Sequence, residues 1–423
     1  MSGWINKEGE QWLGRGQDAD GQWLDWQVLY AGELSDKEET DAKEEIKELE
    51  KEANEDLMAE EAEEVGEILY PFEAYGSTTA PKKEAVLFKN VTVWTNESEG
   101  ILEKSNVLIE NGKIAAIGED LPASTAKVID AEGKHLTCGI IDEHSHIAIS
   151  KGVNEGGQAS SAEVRIGDVV NSEDVNIYRQ LAGGVTTSQL LHGSANPIGG
   201  QSAIVKLRWG YLPEAMKMEG APGFIKFALG ENVKQSSWSR SAAIRFPQSR
   251  MGVEQVYVDG FTRAREYGKQ RGDIGVLPKK GKKQRTPVLG NMNVKPDLEL
   301  DALLEILEGK RFITCHSYVQ SEITMLMRVA EQFGFKINTF THILEGYKVA
   351  DKMKAHGANA SSFSDWWAYK YEVIDAIPFN GAIMHKMGIN VAFNSDDVEM
   401  ARRLNQEAAK AVKYGGLSEE EAW

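Results

Sequence analysis

Residues 139–149 read GIIDEHSHIAI, an apolar run broken by two carboxylates and followed by His144 and His146 one residue apart. In an extended strand, side chains at i and i+2 point to the same side. The pair can therefore hold one cation from one direction. An HxH dipeptide alone decides little; its weight depends on what stands at the ends of the other strands.

From Cys138 onward, short apolar segments alternate with helical patterns, as expected for parallel strands joined by helices. Candidate strands cover 138–146, 184–191, 203–208, 223–230, 311–316, 336–342, 357–362 and 389–396, with helices at 297–309, 320–333 and 398–413. Eight strands in roughly 280 residues match an α/β fold of the (β/α)8 TIM-barrel type, whose sites sit at the C-terminal strand ends. His144 and His146 end the first of these strands, His316 the fifth, His342 the sixth and Asp396 the eighth. Glu231 follows the fourth strand and His192 the second. Histidines with a purely structural role have no reason to gather at strand ends of one polarity. Neutral imidazoles and carboxylates suit a divalent ion such as zinc. The expectation is one or two such ions per chain, zinc first.

The remainder of the 423 residues divides by composition. Residues 1–32 carry Trp4, Trp12, Trp23 and Trp26 among glycines, a pattern of short strands with aromatic packing. Residues 33–80 form an acidic tether, helical or disordered; from Glu33 to Glu67 there are 17 Asp or Glu against 4 Lys, which leaves 13 of the 18 surplus negative charges in one segment. Residues 81–137 alternate apolar and polar positions around "ENGK", predicting a β-hairpin with an Asn-Gly turn. "AKVIDAEGKHLTCG" adds a strand pair, so the segment reads as a small, incomplete β-sandwich. Residues 138–423 are the barrel.

No apolar run is long enough to span a membrane, and the first residues lack the pattern of a secretory signal. A cytoplasmic location is the default, with export if a signal has been lost. Cys138 and Cys315 make neither a disulfide framework nor a CxxC metal site. The basic run "KKGKKQR" lacks interleaved aromatics and reads as a solvated loop, so no nucleic-acid partner is expected.

"GIIDEHSH", "GVTTSQLLHGSANPIGGQ", "ALGENVKQ", "TCHS", "FTHILEG", "SSFSDWWAYK" and "FNSDDVEMARRLNQEAAK" together resemble the amidohydrolase superfamily, particularly its imidazolonepropionase-like branch of metal-dependent hydrolases. The resemblance runs from about Ala85 to the C-terminus. It implies His144, His146, His316, His342 and Asp396 as the residues serving the metal and the attacking water. Asp396 would be the general base, and His342 or His192 would bind the oxyanion. A bridging anion from strand four would be either Glu231 or a carboxylated Lys226. These are five apart and point to opposite faces of a regular strand, and Glu231, at the rim and needing no modification, is the favoured one.

His192, Gly199, Gly200, Gln201, Trp367 and Lys370 are the expected substrate contacts, with Trp366 and Tyr369 walling the pocket and Lys370 or Arg402 meeting a substrate carboxylate. Asp142 shares the alternation of the histidines and is expected to orient one of them; Glu143 points away and is expected to be structural. The implied reaction is hydrolysis of an amide-type C–N bond, cyclic or linear, in a small molecule or short peptide. A metal-dependent deaminase and a non-catalytic metal-binding protein are the alternatives. "GLSEEEAW" opens a helix with a capping box and stops, so the chain reads as a fragment of a longer protein. Assembly into a homo-oligomer stays open.

Overall fold

The computed structural model describes residues 2–5, 10–17, 22–30, 32, 37, 40–41, 43–49, 51, 66–123, 125–234, 245–272, 294–363, 368–394 and 396–423. It divides into two compact units, Met1–Glu67 and Ile68–Trp423. In the first, β1 (Ser2–Ile5), β2 (Gln11–Gln17) and β3 (Trp23–Leu29) form an antiparallel sheet. Gly3 is required there, since a Cβ would come 2.8 Å from the ring carbons of Trp26. Residues 43–49 are helical.

The second unit opens with a five-stranded sheet in the order β6-β5-β4-β7, with β8 also on β4. Here β4 is Val86–Trp94, β5 Ile101–Glu110, β6 Lys113–Gly118, β7 Lys127–Asp130 and β8 His135–Leu136. The hairpin between β5 and β6 turns at Asn111 (φ 53) and Gly112 (φ 75), the left-handed pair that a two-residue loop needs. β7 and β8 both run parallel to β4 rather than against each other, which corrects the expected strand pair. The turn between them (Lys134 N–H to the Ala131 carbonyl, 2.9 Å) carries the chain onward along β4, so the two short strands serve β4 in succession.

Seven of the eight predicted strands lie in parallel register. β9 (Ile140–Ser145) pairs with β10 (Val185–Leu190). β13 (Gly223–Ala228), β14 (Arg311–His316), β15 (Thr339–Thr341), β16 (Asn359–Ser362) and β17 (Val391–Phe393) follow one another in a second sheet. The exception is 203–208. Its strand β12 (Ala203–Lys206) runs antiparallel on β10, because no helix intervenes to carry the chain back to a parallel start. β11 (Ile198–Gln201) pairs antiparallel with β13. The architecture is thus mixed α/β with long parallel runs.

Helices Arg250–Arg271, Leu298–Leu307 and Gln320–Phe333 pack against β13–β15 and bury Tyr257, Phe261, Leu303, Leu326 and Phe340 in one continuous core. Tyr257 ties helix to sheet. Its hydroxyl lies 2.8 Å from the Pro197 carbonyl and 2.7 Å from that of Ala228. Because the residue is fully buried and the Pro197 carbonyl also accepts from the Ala228 N–H at 2.9 Å, Tyr257→Phe removes one shared donor and should cost about 1–3 kcal/mol. A lower urea midpoint checks this; an unchanged midpoint would show that the hydroxyl contributes nothing net.

Candidate metal centre

His144 lies inside β9 near its C-terminal end and His146 just beyond it, on the same side of the chain. Their Nε2 atoms are 3.3 Å apart. What each ring does with its other nitrogen decides the chemistry. His146 Nδ1 is 2.9 Å from the Leu191 carbonyl, which can only accept, so the proton of His146 sits on Nδ1. His144 Nδ1 is 3.0 Å from the Thr341 hydroxyl, and that hydroxyl donates its one proton to Glu143 at 3.3 Å. His144 must therefore donate from Nδ1 as well. Both Nε2 lone pairs face the same space.

Asp396, three residues beyond β17, completes the group. Its Oδ1 is 3.3 Å from His144 Nε2 and 3.2 Å from His146 Nε2, and its Oδ2 is 3.2 Å from His342 Nε2. One donor atom each from His144, His146 and Asp396 lies within 4.8 Å of the others. His342 is fully buried, stacks on Phe363 with ring centres 4.6 Å apart, and its Nδ1 makes no hydrogen bond among the described residues. His316, the last residue of β14, has its ring 5.2 Å from that of His342 and takes a 3.4 Å contact from the Asn232 amide. The strand ends thus bring together all five residues that the resemblance assigned to the metal and water.

Burial lowers the proton affinity of His144, His316 and His342, so these imidazoles are neutral at ordinary pH. Burial alone would raise the Asp396 carboxyl. Positive charge at His144 and His342 would instead hold it well below the usual carboxylate range. The hydrogen bonds keep the proton of His144 on Nδ1; positive charge near this carboxylate is available from the buried Lys226 amine, and the space between these atoms also suits a cation. Three acceptors facing one another fit a divalent ion in size and chemistry.

The two strand-four candidates part company. Lys226 is 1% exposed and its Nζ is 3.1 Å from His144 Nε2. Burial pushes its ammonium down to about 8, against the opposing pull of Asp396 and Glu143. Glu231 instead lies on the rim, its carboxylate 3.3 Å from Lys370 Nζ. The strand period placed them on opposite faces, and the face toward the histidines belongs to Lys226.

Other residues take different places from those expected. His192 is 1% exposed; its Nε2 accepts from the Glu155 amide at 2.8 Å and its Nδ1 is 2.9 Å from the Gly193 carbonyl, so both nitrogens hold loops together. Gly199 and Gly200 are packing positions inside β11. A Cβ at Gly199 would come 2.8 Å from His192 Nδ1 and 3.0 Å from the Lys226 carbonyl, and one at Gly200 2.7 Å from Val164. The Gln201 amide donates to the Ala162 carbonyl at 2.9 Å. Arg402 pairs with Glu399 on the surface. Trp366 and Trp367 lie outside the described residues, as does "KKGKKQR".

Asp142 takes the backbone N–H of His144 at 3.4 Å and meets the Ser145 side chain, rather than a histidine ring. Glu143, expected to be structural, is the carboxylate that orients His144 through Thr341. Nothing in a one-dimensional pattern marks Thr341, which comes from a strand nearly two hundred residues away. Backbone conformation singles out two of the site residues: His342 (φ 57) and Asp396 (φ 50) are left-handed without being glycine.

No family model matches the chain. Over 377 residues it is 29% identical to the amidohydrolase tasK of Hapsidospora irregularis, an alignment covering 78% of this chain and 37% of that protein. The chain thus spans less than two fifths of that relative's length. A 62-residue stretch, 15% of this chain and 14% of the other, is 47% identical to a dihydroorotase of Lactobacillus leichmannii. The crystal structure of an amidohydrolase from Thermotoga maritima MSB8 superposes with a TM-score of 0.68 at 30% identity, covering 79% of this chain and 85% of that one.

Proposed function

The chain belongs to the amidohydrolase superfamily, and from that premise we propose that it hydrolyses an amide-type C–N bond in a small molecule or short peptide with the help of a bound divalent metal. The observation that carries this reading is the convergence of His144, His146 and Asp396, two lone pairs and one carboxylate with no proton of their own to share. We read the two parallel sheets as arcs of one (β/α)8 barrel and the five-stranded sheet as its small companion domain.

His144, His146 and Asp396 would hold the ion, with His316 and His342 beside them and Lys226 from strand four. A divalent ion there, zinc first and one or two per chain, supplies Lewis acidity toward the carbonyl and eases deprotonation of water near neutral pH. Asp396 accepts the proton of the attacking water and delivers it to the departing nitrogen. His342, whose Nδ1 makes no hydrogen bond among the described residues, would face the oxygen on which negative charge develops. Glu143 and Thr341 hold His144 in the tautomer that keeps Nε2 unprotonated.

Elemental analysis of the purified protein followed by a hydrolysis panel of amides, lactams and dipeptides tests the proposal. The expected result is one or two equivalents of metal and turnover on part of the panel. Release of ammonia from an aminated ring with one metal would favour a deaminase. Absence of metal, with no gain on adding zinc or manganese, would overturn the reading.

A further inference from the structure

A charged cluster stands one aromatic ring away from the histidines. Lys370 Nζ lies 4.5 Å over the ring of Tyr318, and that ring meets His316 edge-on with centres 4.6 Å apart. Two carboxylates share this ammonium, Glu231 at 3.3 Å and Glu372 at 3.4 Å. They are held very differently. Glu372 has a side chain only 3% exposed, takes the Glu231 backbone N–H at 3.0 Å and is clamped by Arg250 at 2.8 Å. Glu231 is 38% exposed, so water screens its side of the pair and it is held less firmly than Glu372.

We propose that Lys370 is the anchor for a carboxylate carried by the substrate, and that Glu231 occupies that anchor until the substrate displaces it. Chemistry decides between classes of ligand. A neutral substrate gains nothing from the pair, and a cation would compete with Lys370 for Glu231. An incoming carboxylate leaves the charge around Lys370 unchanged, one anion replacing another, while the Tyr318 face and Glu372 keep the ammonium in place. The substrate class is thus an amide with a free carboxylate about one ring's width from the scissile carbon, such as an N-acyl amino acid or a dipeptide. Glu231 acts as a specificity-determining residue, because it sets the threshold that an anion must exceed.

The inference rests on the proposed hydrolase site but is read out separately from it. Binding of an N-acetyl amino acid and of its C-terminal amide is measured by calorimetry, and turnover of both is followed in parallel. Glu231→Gln should tighten the acid about tenfold and leave the amide unchanged. Lys370→Met should weaken the acid at least tenfold and again spare the amide, and the double variant should match Lys370→Met. Should Lys370→Met fail to fold, Glu231→Gln alone still decides, since its side chain is on the rim. An unchanged acid-to-amide ratio in Glu231→Gln overturns the proposal, as does tighter binding of a cationic probe alone. Intact discrimination in binding without turnover of either compound would sustain the anchor while counting against the hydrolase reading.

Discussion

Asp396→Asn is expected to lower turnover by about 10²- to 10⁴-fold, the range for removing a positioned general base. Asparagine keeps the shape and tolerates the left-handed backbone that Asp396 adopts, so the fold should persist. What disappears is the anion between three imidazoles. Turnover measured on whichever panel compound the wild type hydrolyses, with metal content measured beside it, checks the result. A variant that keeps its metal but not its rate supports the proton-transfer role. A variant that keeps its rate would remove Asp396 from the reaction.

Lys226→Met is the second large effect. Lys226 is buried with its amine 3.1 Å from a histidine lone pair. Burial brings its proton affinity to about 8, so part of the population near neutral pH is free amine. A free amine adds carbon dioxide: the nitrogen lone pair forms the N–C bond, one proton leaves, and a carbamate results. Such a carbamate would give a bound divalent ion a further anionic ligand from strand four. Lys226→Met should lower bound metal relative to the wild type and reduce turnover by roughly 10²-fold or more. Bicarbonate should raise the activity of carbonate-depleted wild type and do nothing for the variant. Glu231→Gln should keep its metal. If instead Glu231→Gln loses metal and Lys226→Met does not, the roles of the two residues are reversed.

The skeleton of the site was legible because it depends on local regularities. HxH needs only the two-residue period of a strand, and the polarity of a parallel run fixes which end His316, His342 and Asp396 occupy. The direction of β12 was not legible, because an apolar segment reads alike whether it runs parallel or antiparallel. The choice between Lys226 and Glu231 rested on rim position, whereas the geometry favours reach: a lysine two residues inside β13 extends to the histidines while the glutamate finds an ammonium closer by. Thr341 and Glu143 were missed for a related reason. Their role exists only through space, where one hydroxyl proton determines the tautomer of His144. The loop glycines were assigned to a substrate, yet Gly199 and Gly200 are small because His192, Val164 and the Lys226 backbone leave no room.

The left-handed backbone at His342 and Asp396 bears on any effort to make this protein more heat-resistant. A non-glycine residue in that region stores on the order of 1–3 kcal/mol, held in place by its surroundings. Glycine at the partly exposed Asp396 relaxes that tension without the cavity it would leave at the buried His342, so a screen that selects for survival at high temperature alone will be drawn to changes at the site. The hardiest descendants of such a screen would have lost what the fold is tensed to hold, and selection for endurance has to be paired at every round with selection for turnover.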